Sequence, residues 1–472
     1  MTIVDDNTRN LLTACGQQHL LELLPDLPDA QAAALIAAVH TADLPALLKA
    51  WQQAAVIDSE QHGMARADRA AAPGNVVRQP ASEAEAAAWR AAEQAGSDAL
   101  SRGLAAVITV AGGQGTRLGF DLPKGMFPIG PATERTLFQI FAEQILARRR
   151  RHKASLPWLI MTSSATHEHT VEFFSAQNYF GLDPQSIHFF QQGSLPALDA
   201  ATGQILLSTP GTPALSPDGH GGLLRALKQS GLLRQLAADG IRHLYYHQVD
   251  NPTAVVADPA LIGLHQLQQS QLTTMVVRKT SPQERMGVLA DLDGHTEIIE
   301  YSELTAEQAE RTDEAGEPVF WAGNTAVHVF CLQFLEQLTA GDRDLPLHVA
   351  RKQVPCVDRH GNSLPCVVDG QPNAIKLERF IFDALPAAER TLIVEGDRTR
   401  QFNPVKNATG SDSAQTSREA LNRIAREWLT LAGCSVDASA VVEISPLQAL
   451  DAAELAVRMA AGELRPEDLI VT

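Results

Sequence analysis

Short apolar runs alternate with helix-like patterns over the central part of the chain. Strands are predicted from Leu104 onward in the segments LAAVITVAG, LPWLIMTSS, SIHFFQQG, IRHLYYHQVDN and LTTMVVRKT. Helical periodicity occurs between them, in TLFQIFAEQILARR and GGLLRALKQSGLLRQLAADG. The alternation predicts an α/β domain with a mostly parallel sheet. A hairpin that turns at Asp293 and Gly294 would add antiparallel strands and make the sheet mixed.

The two ends of the chain differ from this centre. Residues 1 to about 100 are rich in Ala, Leu, Gln and Glu, which favours helices, with a connecting loop predicted in QHGMARADRAAAPGNVVRQP. We therefore predict a central Rossmann-like α/β domain over residues 104–398. An N-terminal helical region over 1–103 and a small C-terminal α+β domain over 399–472 flank it.

Composition and charge exclude some classes of function. A hydrophobic content of 45% indicates a folded globular protein. The net charge of -17 argues against a nucleic-acid partner, because neutralising a phosphate backbone requires an excess of cations. The basic run ARRRRHK from Ala147 is predicted to close a helix, with its cations in solvent.

The five cysteines are scattered and show no C-x-x-C spacing, so neither zinc nor a redox dithiol is indicated. The first residues lack a signal-peptide pattern, and no apolar run is long enough to span a bilayer. We expect a cytoplasmic protein without a membrane partner.

A glycine-rich stretch, ITVAGGQGTRLGFDLPKGMFPIG, spans Ile108 to Gly130. It departs from the dinucleotide fingerprint, because Leu118 stands where the third glycine belongs. It also departs from a Walker A loop, since Lys124 is followed by glycine rather than Ser or Thr. A nicotinamide-dependent oxidoreductase is therefore disfavoured.

The next helix is predicted to begin at Thr136, so the glycine-rich stretch forms a long loop. Gly112, Gly113 and Gly115 would let backbone N–H groups approach phosphate oxygens closely. Arg117 can bind phosphate through a planar fork and Lys124 as a point charge. The loop therefore predicts a phosphate-binding site.

This loop resembles the signature of the eukaryotic-type UDP-sugar pyrophosphorylases, and is most similar to the UDP-N-acetylglucosamine branch. The resemblance continues, in order along most of residues 104–446, through PWLIMTSSATHEHTVEFF, FFQQGSLPALD, SPDGHGGLLRAL, VDNP, MGVL, EYSEL, AGNTAVHVF, NAIKLERFIFD, FNPVKN and EISPL. It implies a Rossmann-like nucleotidyltransferase that joins UTP to a sugar 1-phosphate and releases pyrophosphate and a UDP-sugar.

The resemblance also implies roles for single residues. Arg117 and Lys124 would bind the triphosphate, Lys406 the sugar phosphate, and Asp250 a Mg2+ cofactor. The positions matching nucleotide contacts are Val110, Ala111, Gly112, Gly113, Gln192, Gly221 and Lys376. The positions matching sugar contacts are Gly287, Glu300, Tyr301 and Asn324.

One predicted sugar-facing position departs from the pattern. His220 stands where the acetylglucosamine branch has asparagine, and its G-H-G context resembles the UDP-glucose branch, which however places an acidic residue at the position of Gly222. The leading prediction is synthesis of UDP-N-acetylglucosamine. A UDP-glucose or broad-specificity pyrophosphorylase and a non-catalytic nucleotide-sugar binding protein stay open as alternatives.

Overall fold

A computed structural model describes residues 4–56, 59–341, 344–437 and 439–471. Its helices are α1 (Asp6–Ala14), α2 (Gln18–Leu23), α3 (Asp29–Thr41), α4 (Leu44–Val56), α5 (Ser59–Arg69), α6 (Glu83–Ser101), α7 (Leu137–His152), α8 (His167–Ala176), α9 (Leu223–Gln229), α10 (Leu232–Ala238), α11 (Pro259–Leu267), α12 (Ala306–Ala309), α13 (Leu332–Thr339), α14 (Arg398–Gln401), α15 (Ala414–Leu431) and α16 (Ala452–Ala460).

The strands are β1 (Val76–Val77), β2 (Ala105–Val110), β3 (Trp158–Thr162), β4 (Ile187–Gln191), β5 (Ser194–Pro196), β6 (Leu198–Asp199), β7 (Leu207–Thr209), β8 (Thr212–Pro213), β9 (Leu215–Pro217), β10 (His243–Gln248), β11 (Leu272–Arg278), β12 (Val288–Leu292), β13 (His295–Ile299), β14 (Ala322–Cys331), β15 (His348–Lys352), β16 (Cys356–Val357), β17 (Ser363–Leu364), β18 (Val367–Val368), β19 (Gln371–Pro372), β20 (Ala374–Glu378), β21 (Thr391–Glu395), β22 (Val441–Val442) and β23 (Ile470–Val471).

Two compact units divide the chain, and each draws on several stretches. The first unit takes residues 1–66, 192–225 and 343–383, and the second takes 67–191, 226–342 and 384–472. This division differs from the three consecutive segments expected from the sequence. The N-terminal helices share their unit with two stretches that the sequence assigned to the central domain.

The first unit packs helices α1–α4 against short strands. Leu35 and Leu47 from these helices share an apolar core with Leu198 of β6 and Leu377 of β20. Strand β20 lies between β15 and β6, antiparallel to both. Among the described residues no single helix has the length and apolar composition to cross a membrane. In the same described part, α3 and the start of α4 meet both criteria when taken together, but a bend of 61° separates them.

The second unit is built on a ten-stranded sheet. Strands β10, β2, β3 and β4 are parallel neighbours, and β14 runs antiparallel between β10 and β11. At the other side of β11 lie β21 and β1, both parallel to their neighbours. The predicted α/β fold with a mixed, mostly parallel sheet is confirmed.

Helices on the sheet complete the core of the second unit. Thr136 caps α7 by accepting from the Gln139 amide, whereas the Gln139 side chain bonds Glu143 instead of closing a capping box. Gly96 of α6 and Gly263 of α11 let these helices approach closely, because a Cβ on Gly96 would lie 1.8 Å from the Pro259 carbonyl oxygen.

Three local predictions have distinct outcomes. The β12–β13 hairpin turns at Asp293 and Gly294, both with positive φ, and is confirmed. The segment GGLLRALKQSGLLRQLAADG forms two helices rather than one, because Gly231 adopts a left-handed conformation between α9 and α10. The prediction of a loop over residues 61–80 is wrong in part, because residues 61–69 belong to α5 and β1 pairs with β21.

The basic run behaves differently from the prediction in one respect. It occupies the last turns of α7, as expected from the favourable interaction of cations with a helix C-terminus. Arg148, however, is only 4% exposed instead of lying in solvent. The helical period explains this, since Arg148 falls on the same face as the buried Phe141 and Ile145.

Candidate active site

The glycine loop begins where β2 leaves the centre of the sheet. The Ala111 amide donates to the Met161 carbonyl of β3, and the Val249 amide donates to the Val110 carbonyl, so both neighbouring strands fix the exit of the chain. The Gly112 carbonyl accepts from the Ser163 hydroxyl at 2.8 Å. These bonds hold one side of the loop. Within the described ranges, the Gly112 and Gly113 N–H groups have no hydrogen-bond acceptor.

The loop then folds back on itself. The Lys124 amide donates to the Gly113 carbonyl at 3.1 Å, and the Gly115 amide donates to the Leu122 carbonyl at 3.1 Å. A Cβ on Gly115 would lie 2.8 Å from the Phe120 carbonyl oxygen, so this glycine is required by the loop itself. A Cβ on Gly113 would meet no atom within 4 Å. The loop therefore leaves open space and unpaired amides at Gly113, as a phosphate-binding loop requires.

In the second unit, Lys124 of the glycine loop forms an ion pair with Asp250. The Lys124 ammonium nitrogen lies 3.5 Å from Asp250 Oδ2, and both side chains are mostly buried. Lys124 stands at the start of a single helical turn, Lys124–Met126, and Asp250 follows β10. Arg117 lies in the preceding turn, Thr116–Leu118, exposed and without a polar partner among the described residues.

Lys406 lies on a segment that is bonded to Asp250. The Val405 amide donates to the Asp250 carbonyl at 2.8 Å, which places the next residue, Lys406, beside the Asp250 backbone. The Lys406 ammonium nitrogen lies 5.5 Å from the Phe402 ring centre, and its amide donates to the Asp412 carbonyl. Burial raises the pKa of the Asp412 carboxyl, and Lys406 acts against that rise.

The predicted sugar-binding residues of the second unit are close to one another. The Asn324 amide donates to the Gly287 carbonyl at 2.8 Å, and a Cβ on Gly287 would lie 2.9 Å from Glu300 Oε1. The Asn324 side chain accepts from the Ala326 amide next to an irregularity in the β11–β14 pairing. Tyr301 is 47% exposed. Gly287, Glu300 and Asn324 are therefore brought together.

The remaining predicted residues belong to the first unit. The Gly221 amide donates to the Arg379 carbonyl, and a Cβ on Gly221 would lie 2.7 Å from backbone atoms of Arg379 and Phe380. Lys376 of β20 forms an ion pair with Glu378 at 3.0 Å. Gln192 follows β4 and is half-buried.

His220 is held as a neutral ring. Its Nδ1 accepts from the Ile381 amide at 3.1 Å, and the ring stacks on Phe380 with 5.2 Å between centroids. Burial, with a smaller contribution from His348, lowers the pKa of His220 to about 4. Because Nδ1 accepts a hydrogen bond, the proton of the neutral ring is on Nε2, which is thus a donor. His220 can therefore donate one hydrogen bond, from Nε2, and carries no charge.

The presence of glycine at position 222 has a steric explanation. A Cβ on Gly222 would lie 2.1 Å from Asp218 Oδ1. Asp218 is 2% exposed, and within the described part of the chain that oxygen has no hydrogen-bond partner. An acidic side chain at position 222 would collide with this carboxylate and repel it, so this chain excludes the residue that the UDP-glucose branch places there.

Few protein side chains near Asp250, in the second unit, could bind a divalent cation. Among the described residues there is no cluster of three or more His, Cys, Asp or Glu side chains suited to a metal ion. Mg2+ is often held by one or two carboxylates with substrate phosphate oxygens completing its shell. The Asp250 carboxylate, mostly buried beside Lys124, fits that donor set.

Comparison with known proteins assigns the family. A family model described as UTP–glucose-1-phosphate uridylyltransferase matches residues 67–422. The chain belongs to this family. The match includes the glycine loop and the segments that carry Asp250 and Lys406. It confirms the nucleotidyltransferase assignment that the motifs predicted.

Individual members of the uridylyltransferase family resemble the chain over most of its length. UDP-N-acetylglucosamine pyrophosphorylase of Saccharomyces cerevisiae is 38% identical over 358 residues, or 74% of this chain and 75% of the yeast protein. The human UDP-N-acetylhexosamine pyrophosphorylase-like protein 1 is 34% identical over 474 residues, covering 94% and 92% of the two chains.

Solved structures share the fold. The UDP-N-acetylglucosamine pyrophosphorylase of Trypanosoma brucei, crystallised with an inhibitor, superposes with a TM-score of 0.81 at 27% identity, over 98% of this chain and 96% of that one. A UDP-glucose pyrophosphorylase variant from Leishmania major gives a TM-score of 0.53 at 21% identity, covering 66% and 64%. The second similarity shows a shared fold only.

Some residues that position the site were missed from the sequence. The Asn251 side chain donates to the Gln401 carbonyl and accepts from the Asn403 amide, so it joins the Asp250 segment to the Lys406 segment. Asn251 lies in the motif VDNP and Asn403 in FNPVKN. The two Asn-Pro dipeptides could have indicated these positioning residues in the sequence, because asparagine side chains often form hydrogen bonds with nearby backbone in turns.

Proposed function

We propose that this chain transfers the uridylyl group of UTP to N-acetylglucosamine 1-phosphate, giving UDP-N-acetylglucosamine and pyrophosphate. The observation that carries the proposal is the Lys124–Asp250 pair beside the unpaired Gly112 and Gly113 amides, at the carboxyl ends of parallel strands. The names of the yeast and human relatives support the acetamido sugar as the acceptor.

The reaction needs positioning and charge stabilisation rather than a covalent nucleophile. A phosphate oxygen of the sugar phosphate attacks the α-phosphorus of UTP in line, and the pyrophosphate leaves on the opposite side. Lys124 and Arg117 would stabilise the negative charge that accumulates on the leaving pyrophosphate. Lys406 would hold the attacking sugar phosphate. The Gly112 and Gly113 amides would orient the nucleotide phosphates.

Asp250 would hold Mg2+, which when bound would neutralise phosphate oxygens. The 3.5 Å separation from Lys124 lets the same carboxylate also position that ammonium group. The roles predicted for Gln192, His220, Gly221 and Lys376 are kept as parts of the proposal. We also propose a cytoplasmic location, which the five free cysteine thiols support.

Glucose 1-phosphate is the second candidate acceptor, because His220 replaces the asparagine of the acetylglucosamine pattern. A non-catalytic nucleotide-sugar binding protein is the alternative from another class. Release of pyrophosphate from UTP and Mg2+, measured with and without N-acetylglucosamine 1-phosphate, tests the proposal. Release that depends on the sugar phosphate supports it. Binding of UTP without release under either condition would favour the binding protein.

A further inference from the structure

A large cavity lies within the second unit. Its volume is about 630 Å3, which is within the usual range for small-molecule sites. One wall is formed by α7, the start of α11 and strands β11 and β21, and the other by α15 and the segment after β22. None of the residues predicted to bind substrate or metal is among its lining residues.

The lining of the cavity combines apolar side chains, among them two tryptophans, with six carboxylates and three arginines. Ile140 and Met275 line one wall, and Leu421 lines the other. Trp89 and Trp428 also line the cavity, and both rings are half-buried. Aromatic side chains with little conformational freedom favour a flat, apolar ligand.

Arg148 supplies a charged hydrogen-bond donor to the lining of the cavity. The residue is 4% exposed, and its side chain forms one hydrogen bond among the described residues, from Nε to the Val256 carbonyl at 3.4 Å. The terminal nitrogens have no hydrogen-bond partner among the described residues, and Arg148 lines the cavity. A buried guanidinium with unpaired donors favours an acceptor in the cavity, because leaving such donors unsatisfied is costly.

Nearby carboxylates do not use these donors. Asp258 and Asp451 exert a Coulombic attraction on Arg148, but neither forms an ion pair with it within 4 Å among the described residues. Asp258 instead accepts from the Ala260 amide at the start of α11, and Asp451 pairs with Arg151. A planar carboxylate would complete the guanidinium with two parallel hydrogen bonds.

The cavity wall is continuous with the segments of the candidate active site. Thr253, a lining residue, donates to the Asn251 side chain, which in turn donates to the carbonyl of Gln401, another lining residue. Asp250 precedes Asn251 directly, and its carbonyl accepts from the Val405 amide. A ligand that displaces Thr253 or Gln401 would therefore move the backbone that carries Asp250 and Lys406.

We propose that this cavity binds an organic monoanion, a flat apolar molecule with one carboxylate, and that its occupancy changes the rate of uridylyl transfer. The carboxylate pairs with Arg148, and the apolar body lies between Trp89 and Trp428. The effect on rate rests on the proposed function, whereas binding does not.

Calorimetric titration of the full chain tests binding with naphthalene-2-carboxylate and its uncharged counterpart, naphthalene-2-methanol. The carboxylate should bind at one site, at least about tenfold tighter than the alcohol, because a charge-assisted pair is lost in the latter. Arg148→Met should remove this difference, while Arg150→Met, at an exposed arginine of the same helix, should preserve it. Equal affinities in the wild type, or a difference that survives Arg148→Met, would overturn the proposal.

A second variant tests the proposal independently, in case Arg148→Met does not fold. Leu421→Trp fills the cavity from a half-buried position on α15, whereas Leu431→Trp alters a leucine that is 66% exposed at the end of the same helix. With melting temperatures near that of the wild type, Leu421→Trp should abolish binding and Leu431→Trp should retain it. Unchanged binding in Leu421→Trp would place the ligand elsewhere and overturn the proposal.

The effect on activity is measured separately. Saturating naphthalene-2-carboxylate should change the rate of pyrophosphate release at least about twofold in the wild type and leave Leu421→Trp unaffected. An equal change in both proteins, or none in the wild type, would overturn the regulatory half. If the chain releases no pyrophosphate at all, the proposed function fails, while the calorimetric result still decides whether the cavity binds the anion.

Discussion

The Lys124 ammonium nitrogen lies 3.5 Å from Asp250 Oδ2, although the two residues are 126 positions apart along the chain. Strands β2 and β10 run parallel, with Val110 opposite Gln248, so the loops that follow them leave the sheet at the same edge. The strand register therefore brings the cation and the carboxylate together. This pairing is the basis of the proposed catalytic centre.

Lys124→Ala should lower kcat by about 10²-fold, because it removes one cation from the charge that develops on pyrophosphate. The melting temperature should change little, since the side chain makes one long ion pair and no other polar contact among the described residues. Lys352→Ala, at an exposed lysine of β15, is the control. Near-normal steady-state rates for Lys124→Ala would remove this residue from the mechanism.

Asp250→Asn should raise the Mg2+ concentration needed for half-maximal rate and lower kcat by about 10²-fold. Asparagine keeps the volume of the side chain but not its charge, so the metal loses its protein carboxylate. The measurement is a Mg2+ titration of pyrophosphate release, with the exposed Asp183→Asn as control. An unchanged Mg2+ dependence would show that another group holds the ion.

Gly113→Ala should fold normally and weaken UTP binding. An added Cβ meets no protein atom within 4 Å, so the methyl group would obstruct only a ligand. Gly125→Ala is the contrasting variant, because its Cβ would lie 2.2 Å from the Phe138 ring and should lower the melting temperature. UTP titrations and thermal unfolding of both variants make the comparison. Wild-type UTP affinity in Gly113→Ala would exclude close contact with the nucleotide.

His220→Asn should shift the choice of sugar. Asparagine restores the acetylglucosamine pattern and loses the stacking on Phe380. We expect the ratio of kcat/KM for N-acetylglucosamine 1-phosphate to that for glucose 1-phosphate to rise by about tenfold. His360→Asn, at an exposed histidine, is the control. An equal loss with both sugars, together with a lower melting temperature, would indicate a purely structural role for His220.

Asp218 should make the stability of the first unit depend on pH. Burial raises the pKa of Asp218 to about 6, although Arg379 and Arg225 act against the rise. Because this pKa exceeds the ordinary value of 3.8, stabilisation by the neutral carboxyl is complete below about pH 4 and is lost as the pH rises through 6. The loss should reach about 3 kcal/mol.

Asp218→Asn isolates this effect. The free energy of unfolding of the wild type, relative to the variant, should fall between pH 4 and pH 7.5, as measured by denaturant titration. The exposed Asp26→Asn should show no such dependence. A wild-type advantage that stays constant over this range would mean that Asp218 keeps an ordinary pKa in the folded protein.

Much of the fold could be predicted because its signals are local. The strands after Leu104 are short apolar runs, and the hairpin at Asp293 and Gly294 has the residues that its turn requires. The helix after Thr136 begins at the expected cap. Because β2 and β10 are parallel, the loops that follow them, which carry Lys124 and Asp250, leave the sheet at the same edge. These local rules also suffice to place Lys124 and Asp250 near each other.

Other features depend on contacts between distant parts of the chain and could not be predicted in this way. The N-terminal helices share a core with Leu198 and Leu377, which no periodicity in residues 1–66 indicates. Arg148 belongs to a run of charges that favours solvent exposure, yet the face it occupies on α7 buries it. The break at Gly231 reflects one left-handed residue in an otherwise continuous helical pattern.

The measurement that tests the central claim most directly is kcat/KM for pyrophosphate release from UTP and Mg2+, with N-acetylglucosamine 1-phosphate and glucose 1-phosphate assayed in parallel. The proposal predicts rapid release with both substrates present and a clear preference for the acetamido sugar. Preference for glucose 1-phosphate would contradict the proposed acceptor while retaining uridylyl transfer. The absence of release with either sugar would contradict the proposed function itself.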